Sequence, residues 1–366
     1  MEWKEVRLGD VADVQTGPFG SQLHKENYVK RGTPIVTVEH LGNKWFTSQN
    51  LPMVSDEDKM RLAKYCSQEG DVIFSRVGSV DRCSYVSKKY SGWLFSGRCL
   101  RVRPCSGINP EYLYYFLTNE GTKQYIRNIA VGATMPSINT KLLNEVPIKI
   151  PSLADQHHIA SILSSLDRRI ELNNKINADL EEMAQAIFKN WFVDFEPFKD
   201  GKFVDSELGM IPEGWKVGRL TDVIKLMPGG TPKTSEPLYW DNGTIPFFSP
   251  KDVNGVYCFA TEKHITETGL NKCSSNLYPK DTIFITCRGT VGKVCLAACD
   301  MAMNQSNYAI KAIDGYSQYY VFFLVKSVVE RLIKNQMVLS FLLLHPKTLM
   351  KKFSFRLRKQ LKILPM

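Results

Sequence analysis

The sequence PSLADQHHIASILSSLDRRIELNNKINADLEEMAQAIFKNWFVDFEP occupies residues 151–197, near the middle of a chain of 366 residues. Its apolar residues recur at alternating intervals of four and three, the heptad period that keeps one side of a helix turned toward a partner helix. Pro151 and Ser152 suit the start of such a helix, and Pro197 suits its end. The residues predicted to line the partner-helix interface are Leu163, Leu166, Ile170, Asn173, Asn177, Leu180, Ile187 and Trp191.

A helix of this length extends well beyond the diameter of a small domain, so it could not bury its apolar stripe against itself. We therefore expect it to form a coiled coil. Asn173 and Asn177 would cost stability at the seam, but asparagines there fix the register and the choice of partner. The alternative is an ordinary long core helix inside one domain. The uninterrupted heptad period and the flanking prolines favour a spacer between two domains.

The sequences on either side of this stretch repeat each other. WKEVRLGDV at residues 3–11 matches WKVGRLTDV at residues 215–223, a separation of 212 positions (3 to 215), and PIVT at 34 matches PFFS at 246 with the same separation. Three further matches follow in the same order: GDVIF at 70–74 with KDTIF at 280–284, GSV at 78–80 with GTV at 289–291, and YLYYFL at 112–117 with YYVFFL at 319–324. This conserved order indicates an internal duplication.

Each copy of the repeat predicts a mixed α+β domain. In the first copy, β-like runs at residues 35–38, 72–74 and 100–103 are separated by Gly, Pro and Asn, and an aromatic helix is predicted at 110–119. The second copy carries its aromatic helix at 318–333. The predicted fold is α+β, with two similar domains in tandem separated by a long coiled-coil-forming helix. The predicted boundaries are residues 1–150, 151–197 for the helix, 198–213 for a linker, 214–335, and 336–366 for a basic tail.

The composition narrows the class of partner. Lys and Arg number 47 against 37 Asp and Glu, which gives a net charge of +10 and favours a polyanion such as nucleic acid, although a mildly basic cytoplasmic protein would have the same charge. Nine cysteines and no apparent secretory leader predict reduced thiols and a cytoplasmic location. No C-x-x-C pair occurs, so no zinc site is predicted, and no run approaches the length of a membrane span.

Two stretches partly match catalytic motifs. NPEY at 109–112 is close to the Asn-Pro-Pro-Tyr/Phe loop of adenine methyltransferases, but Glu111 replaces the second proline and no Gly-rich loop for S-adenosylmethionine precedes it. GTVGK at 289–293 is half of a phosphate loop, whose full pattern would need Gly at 287 and Ser or Thr at 294, where Cys287 and Val294 stand. No catalytic residue, metal site or cofactor site is therefore predicted in this chain.

The repeated Trp-Lys-x-x-x-Leu-x-Asp-Val opening resembles the specificity (S) subunits of type I restriction-modification systems. So do GDVIF at 70–74, GATMPSIN at 132–139, the helix entry PIKIP at 147–151 with Gln156 and Ile159, the helix end at 188–196, and LGMIPEGW at 208–215. The resemblance covers residues 1 to about 335. It implies a non-catalytic subunit in which each repeat is a target recognition domain that reads one half of a bipartite double-stranded DNA sequence.

The resemblance also implies the other components. The central helix would set the gap between the two half-sites and dock methyltransferase (M) subunits, which would bind S-adenosylmethionine and methylate adenine. Restriction (R) subunits would join through the complex and use ATP and Mg²⁺. Two alternatives remain open: a truncated or regulatory S fragment that binds the M subunits without reading a full target, and an adenine-N6 DNA methyltransferase using residues 109–112.

Loop residues are the expected DNA contacts, because loops on a rigid scaffold carry function and because Arg, Lys, Asn and Gln read base edges. The glycine-containing turns at 17–20 and 229–232 would present their neighbours. In the first domain the candidates are Ser21, Gln22, Glu39, His40, Arg76, Ser79, Arg82 and Arg98. Their repeat equivalents in the second domain are Thr231, Lys233, Lys251, Asp252, Arg288, Thr290, Lys293, Asn304 and Gln305.

The C-terminal part departs from the family pattern. A second long helix should follow the second domain, but residues 331–366 contain no Asp or Glu, and MVLSFLLLH at 337–345 replaces the second GATMPSIN. Fragments at 346–349 and 360–363 still echo the entry to the first helix. The sequence therefore predicts a frameshifted or truncated end and an unpaired apolar stripe on the central helix. Either two copies of the chain could pair their helices, or a separately encoded fragment could supply the missing one.

Overall fold

The computed structural model describes residues 3–19, 22–334 and 354–358, and it divides into two units, residues 1–174 and 175–366. The division falls inside α5, Leu153–Phe192, so each unit contains part of this helix. Both units mix helices with β-sheet, in agreement with the predicted α+β class.

The described part of unit 1 contains ten strands, four α-helices and the first part of α5. Its strands are β1 Lys4–Arg7, β2 Ala12–Thr16, β3 Tyr28–Val29, β4 Thr33–Val36, β5 Met53–Val54, β6 Val72–Ser75, β7 Cys83–Tyr85, β8 Leu94–Phe95, β9 Cys99–Pro104 and β10 Pro147–Ile150. Its other helices are α1 Asp56–Arg61, α2 Pro110–Thr118, α3 Glu120–Ile129 and α4 Thr140–Asn144.

Two sheets form the body of unit 1. One has the strand order β2-β9-β6-β7 and is antiparallel, and the other has the order β3-β5-β4-β8 with a parallel β4–β8 pair. All of β6 is buried because alternate side chains serve two cores: Val72 and Phe74 pack with α2, and Ile73 packs with β4 and β8. Burial on both faces explains why three consecutive residues of this strand, at 72–74, are apolar.

Unit 2 repeats this plan, with twelve strands among its residues that the structure describes. They are β11 Phe203–Val204, β12 Ile211–Pro212, β13 Trp215–Arg219, β14 Ile224–Pro228, β15 Ile245–Phe248, β16 Tyr257–Cys258, β17 Lys263–Ile265, β18 Ile283–Thr286, β19 Val294–Ala297, β20 Ala302–Met303, β21 Asn307–Ala312 and β22 Ser354–Arg358. The helices after α5 are α6 Glu267–Asn271 and α7 Gln318–Lys334. The larger sheet has the order β14-β21-β18-β19-β16, and the smaller one β17-β15-β20.

The structure corrects the register of the repeat in two places. Val72 pairs with Tyr85, and Ile283 pairs with Leu296 in the equivalent ladder, so Val72 corresponds to Ile283 rather than to Thr282. A shift of one residue moves every side chain of a strand to the other face, and only this register places the matching residues in matching cores.

The aromatic helices need the same correction. The Leu113 amide bonds to the Asn109 carbonyl, and the Val321 amide bonds to the Ser317 carbonyl in the same way. Tyr112 therefore corresponds to Tyr320, one residue later than the sequence alignment places it. Sequence similarity alone aligns the first tyrosine of each helix, whereas the hydrogen bond of the first helical turn gives the structural correspondence.

The central helix is confirmed but ends before Pro197. The Ser152 hydroxyl accepts the Asp155 amide at its start, as predicted for an N-cap. At the other end, the amides of Val193 and Asp194 both bond to the Lys189 carbonyl, and Phe195 takes a φ of 57°. This left-handed residue cannot continue a right-handed helix, so α5 stops at Phe192.

The side of α5 that packs on unit 1 is not the heptad stripe. Gln156, Ala160 and Ser164, spaced at intervals of four, are the buried residues of the helix. In the other half, Phe188 and Phe192 pack on Tyr320 in unit 2 with ring centroids 5.8 and 4.9 Å apart. Small and polar residues thus face the first domain. The heptad spacing of the apolar residues does not predict this contact.

Residues predicted to lie outside the second domain also contribute to unit 2. β22 pairs antiparallel with β13, from Trp215 with Arg358 to Arg219 with Ser354. β1 and β10 form the equivalent pair in unit 1. The basic tail therefore supplies the strand that the repeat requires, and the linker at 198–213 contains the β11–β12 pair. The predicted features at 337–345, 346–349 and 360–363 lie outside the described residues.

Candidate nucleic-acid interface

An open groove of about 850 Å³ lies in unit 1 where several loops meet. We call it the first groove. Gly17 begins one of these loops, and its close packing explains the residue: a Cβ there would lie 2.2 Å from the Ser96 carbonyl oxygen. The residues that line the first groove are Pro18, Phe19, Leu23, Tyr28, Thr37, Val38, Glu39, Asn50, Pro52, Arg82, Ser96, Gly97 and Arg98.

Three predicted arginines gather at the first groove. Arg98 is exposed on its rim, and Arg82 is half-buried in its wall with the guanidinium donating to the Leu41 carbonyl. Arg76 lies next to them: its Nη1 donates to the Gly97 carbonyl at 3.2 Å, and its guanidinium carbon is 6.0 Å from the centre of the Phe19 ring. The structure therefore brings together residues that are 22 positions apart in sequence (76 to 98).

His40 is a correction to the predicted contacts. Its side chain is fully buried, and both ring nitrogens are occupied within the fold. Nδ1 accepts the Thr37 amide at 3.0 Å, and Nε2 lies 2.9 Å from the Gln49 carbonyl oxygen. A buried imidazole that caps a turn stabilises the loop, so it has no free group for DNA.

The remaining candidates of unit 1 differ in position. Ser79 is exposed in the turn between β6 and β7. Gln22 is exposed, and its Oε1 accepts the Tyr65 hydroxyl at 2.7 Å. Ser21 lies outside the described residues.

Sequence reasoning missed part of this surface. The GATMPSIN stretch at 132–139 marks the family but, from the sequence, predicts no part of the site. In the structure, the Ile138 amide donates to the Arg76 carbonyl at 2.9 Å and the Gly78 amide donates to the Pro136 carbonyl at 2.8 Å. This stretch therefore holds the loop that carries Arg76 and Ser79, and the neighbouring Val131 and Met135 are exposed.

Unit 2 forms the matching loops with other side chains. A Cβ on Gly229 would lie 2.1 Å from the Asn304 carbonyl oxygen, just as Gly17 lies against Ser96. The Thr231 hydroxyl donates to Gln305 Oε1, which joins two predicted contacts. Asn304 is turned inward, because its Oδ1 accepts the Ser306 amide at 3.0 Å and Asn307 Nδ2 at 2.7 Å. Lys233 is exposed.

Arg288 is not the equivalent of Arg76. The Arg76 amide donates to the Arg98 carbonyl at 2.8 Å, and in unit 2 it is the Cys287 amide that donates to the Ser306 carbonyl at 2.8 Å. Cys287 is buried, and burial raises the pKa of its thiol to about 12. The exposed side chains of this loop belong to Arg288, Thr290 and Lys293.

Lys251 and Asp252 have separate functions. Asp252 is buried, and its Oδ2 accepts the Ser249 amide at 2.7 Å, the counterpart of the His40 contact with Thr37. Lys251 is exposed, with its Nζ 3.8 Å from a Glu262 carboxylate oxygen. The exposed lysine is therefore the member of this pair that can meet a ligand.

A polar cluster fixes α5 to unit 1. Lys44 is 9% exposed, and its Nζ lies 3.1 Å from Asp167, 3.3 Å from Glu111 and 2.7 Å from the Tyr115 hydroxyl. Tyr115 donates to Asp167 at 2.5 Å, and burial together with that carboxylate raises the pKa of the Tyr115 hydroxyl. Buried charges are tolerated when each has partners, as here.

The stripe predicted as a partner-helix interface remains largely solvent-exposed on the chain. Leu166, Ile170, Leu180, Ile187 and Trp191 are between 44 and 59% exposed, and Asn173 and Asn177 are exposed between them. Leu163 is half-buried. An apolar row of this length on one helix is available to a partner helix.

The methyltransferase-like residues have a structural role. The Asn109 side chain accepts the Tyr112 amide at 2.9 Å and so caps α2, while its Nδ2 lies 2.9 Å from His157 Nδ1. Within residues 3–19, 22–334 and 354–358, no group of three or more His, Cys, Asp or Glu side chains is placed to hold a metal ion. Among the helices that the structure describes, none combines the length and apolar character that crossing a membrane requires.

Comparison with known proteins identifies the family. The type I restriction modification DNA specificity domain matches residues 1–182 and 212–354. The type I restriction enzyme MjaIX specificity subunit of Methanocaldococcus jannaschii is 27% identical over 96% of this chain and 85% of its own length. The HindI specificity subunit of Haemophilus influenzae is 26% identical over 89% of this chain and 82% of its own length.

A solved structure agrees in fold. The type I restriction-modification S subunit of M. genitalium superposes with a TM-score of 0.57 at 16% identity, covering 98% of this chain and 85% of its own. The two matched family domains coincide with the two copies of the repeat. The chain therefore belongs to the type I restriction-modification specificity family, as a non-catalytic DNA-recognition subunit.

Proposed function

We propose that unit 1 and unit 2 each read one half of a bipartite double-stranded DNA target. The observation that carries this proposal is that both units build the same loops on the same backbone hydrogen bonds and place different cationic side chains on them. Duplicated scaffolds with unlike readers suit a target whose two halves differ in sequence.

The proposal divides the cationic residues by exposure. Arg98 in unit 1 and Lys233, Arg288 and Lys293 in unit 2 are exposed, so they suit contacts with phosphates or with guanine edges. Arg76 and Arg82 are half-buried and already bonded to backbone carbonyls. Their guanidinium groups retain further donors, and the bonds fix the direction in which those donors point.

The exposed stripe of α5 is the proposed docking site for helices of the M subunits or of a second copy of this chain. In this proposal the complex acts on the chromosome in the cytoplasm. The M subunits would carry S-adenosylmethionine, and the R subunits would carry ATP and Mg²⁺. The heptad spacing of Leu166, Ile170, Leu180 and Ile187 supports a helical partner, because such spacing keeps apolar residues on one side.

The test uses the chain assembled with its M subunits. Methylated adenines are mapped in DNA from cells that contain no other specificity subunit, and binding is selected from a DNA library with both half-sites randomised. We expect a two-part motif with a fixed gap. A symmetric motif built from one half would indicate two copies that use one unit each, and loss of methylation with active M subunits would support the truncated-fragment alternative.

Single substitutions then show which unit reads which half-site. Arg98→Ala should weaken selection in one half-site and Arg288→Ala in the other, each by about tenfold for a lost base contact. Arg7→Ala and Arg219→Ala are matched controls, since Arg7 and Arg219 are exposed and hold equivalent positions in β1 and β13. If the Arg98 and Arg288 variants behave like these controls, those two residues are not readers.

A further inference from the structure

Each unit carries the same short turn after its second-sheet strand. In unit 1 the turn is Val38–His40 and in unit 2 it is Pro250–Asp252. The His40 amide bonds to the Thr37 carbonyl at 3.0 Å, and the Asp252 amide bonds to the Ser249 carbonyl at 3.1 Å. The third side chain of each turn is directed inward, where it accepts the amide of the residue before the turn.

The middle side chain of each turn is consequently exposed. Glu39 is 67% exposed and Lys251 is 81% exposed. Glu39 lines the first groove with Arg82 and Arg98, and its Oε1 accepts the Thr37 hydroxyl at 3.2 Å. One scaffold position therefore holds opposite charges in the two units, on turns that share the same first backbone hydrogen bond.

We propose that Glu39 and Lys251 are specificity-determining residues, and that their opposite charges require different bases in the two half-sites. This inference rests on the proposed function of the units. In this inference Glu39 contacts a base that offers an amino group, and Lys251 contacts a guanine.

The chemistry of the two side chains leads to this assignment. An ionised carboxylate has acceptors and no donor, so on a major-groove edge it matches the N4 amino group of cytosine or the N6 amino group of adenine. Guanine O6 and N7 and the phosphates would repel it. A lysine ammonium has donors and no acceptor, and it matches guanine O6 and N7.

The surroundings of Glu39 favour contact with a base. An exposed carboxylate in a DNA groove meets unfavourable phosphate charge unless a donor faces it. Arg82 and Arg98 line the same groove, and cations there would bring the DNA backbone close to the carboxylate. Glu39 then strengthens binding where the base offers an amino group and weakens it elsewhere, which is how a site discriminates between sequences.

The experiment compares Glu39→Gln, Glu39→Lys and Lys251→Glu in the assembled complex with M subunits, using binding selection from the library with both half-sites randomised. Glu69→Lys is the charge-matched control. Glu69 is exposed and precedes β6, whereas Arg76 and the first groove follow the other end of that strand.

We expect Glu39→Lys to change the preferred base at one position of the first half-site from cytosine or adenine to guanine, by roughly 5- to 100-fold. Lys251→Glu should cause the reverse change in the second half-site. Glu39→Gln should relax the preference or move it to adenine, because an amide both donates and accepts. Glu69→Lys should leave both half-sites as in the wild type.

Three results would overturn the inference while leaving the proposed function intact. These are an unchanged base preference in all three variants, a change in total affinity without a change in base preference, and the same change in Glu69→Lys. If Glu39→Lys binds no sequence, Glu39→Gln decides by the same criterion. A wild-type complex that selects no bipartite target would remove the proposed function, and this inference with it.

Discussion

Unit 1 and unit 2 hold the loop after their buried central strand with the same backbone bonds but with different side chains. The Ser75 amide donates to the Arg82 carbonyl at 2.8 Å, and the Thr286 amide donates to the Lys293 carbonyl at 3.0 Å. Arg82 therefore corresponds to Lys293. Because backbone groups hold the loop, its side chains are free to differ, which suits the proposed reading of two unlike half-sites.

The two units differ more deeply where each meets α5. The Tyr85 amide bonds to the Lys44 carbonyl, and the Leu296 amide bonds to the Val256 carbonyl, so Val256 takes the place of Lys44. In unit 2, Phe323 packs on Phe188 of α5 with ring centroids 5.8 Å apart. Unit 1 holds the helix by the Lys44 cluster, and unit 2 holds it by aromatic packing together with an ion pair between Lys326 and Glu181.

The largest expected effect comes from breaking the charged contact. Lys44→Met should destabilise unit 1 by about 3 kcal/mol, because Asp167 and Glu111 would lose their shared cation while remaining partly buried. Urea denaturation with hydrogen exchange along α2 and the first half of α5 would measure this. Lys141→Met is the control, since Lys141 is exposed on α4. A loss below about 1 kcal/mol would mean that the cluster behaves as a surface ion pair.

The next effect tests the corrected register. The Gly70 amide bonds to the Val86 carbonyl and the Asp281 amide to the Ala297 carbonyl, so a glycine at φ 94° corresponds to an aspartate at φ 66°. Gly70→Ala should cost about 1–2 kcal/mol, because a side chain is strained there. Asp281→Gly should lie within about 1 kcal/mol of the wild type, since relieved strain offsets the lost Tyr257 hydrogen bond.

Thermal or urea unfolding of the two variants would show this contrast. Gly121→Ala is the control, because Gly121 lies inside α3 and its φ is not in the left-handed region. Alanine at that position should be neutral or stabilising. Equal losses in Gly70→Ala and Asp281→Gly would argue that these two positions are not equivalent.

A smaller effect concerns the equivalent cations of the two loops. Arg82→Lys should weaken binding to the first half-site by about tenfold. The guanidinium of Arg82 can donate to the Leu41 carbonyl and to DNA at the same time, whereas lysine lacks this planar fork. Lys293→Arg should change binding to the second half-site by about twofold at most, because the exposed cation is retained. Fluorescence titrations at fixed salt would separate these outcomes. Similar losses in both would show that the two loops use their cations alike.

The smallest effect is absent at neutral pH and appears only in alkali. Burial raises the pKa of Cys99 in unit 1 and of Cys287 in unit 2 to about 12 each. Well below the ordinary thiol pKa of about 8.5 both thiols are neutral whether folded or unfolded, so they cause no pH dependence there. From about pH 8 to about pH 12 the unfolded thiols ionise first, and stability should fall as pH rises.

Thiol labelling at pH 8 would check the same residues. Cys105 and Cys299 are exposed and should react first, while Cys99 and Cys287 stay protected. Rapid labelling of Cys287 alone would show that the sheet of unit 2 opens more readily than that of unit 1.

The sequence by itself determined the duplication, the α+β class, the central helix and the family, because these depend on period, order and motif. The corrected register lay beyond it. Sequence similarity pairs Tyr112 with Tyr319, whereas the hydrogen bond that starts each helix pairs Tyr112 with Tyr320. His40 is predicted as a DNA contact because it lies in a loop after a strand, and only the fold shows its ring buried between Thr37 and Gln49.

The tertiary structure also decided which face of α5 meets unit 1 and which loops meet at the first groove. Gln156, Ala160 and Ser164 carry no apolar signal, so their burial depends on the shape of the surface opposite them. Arg76 and Arg98 come together because β6 and β9 are neighbours in one sheet. Local order sets the secondary structure and its repeats, while long-range pairing decides which side chains share a site.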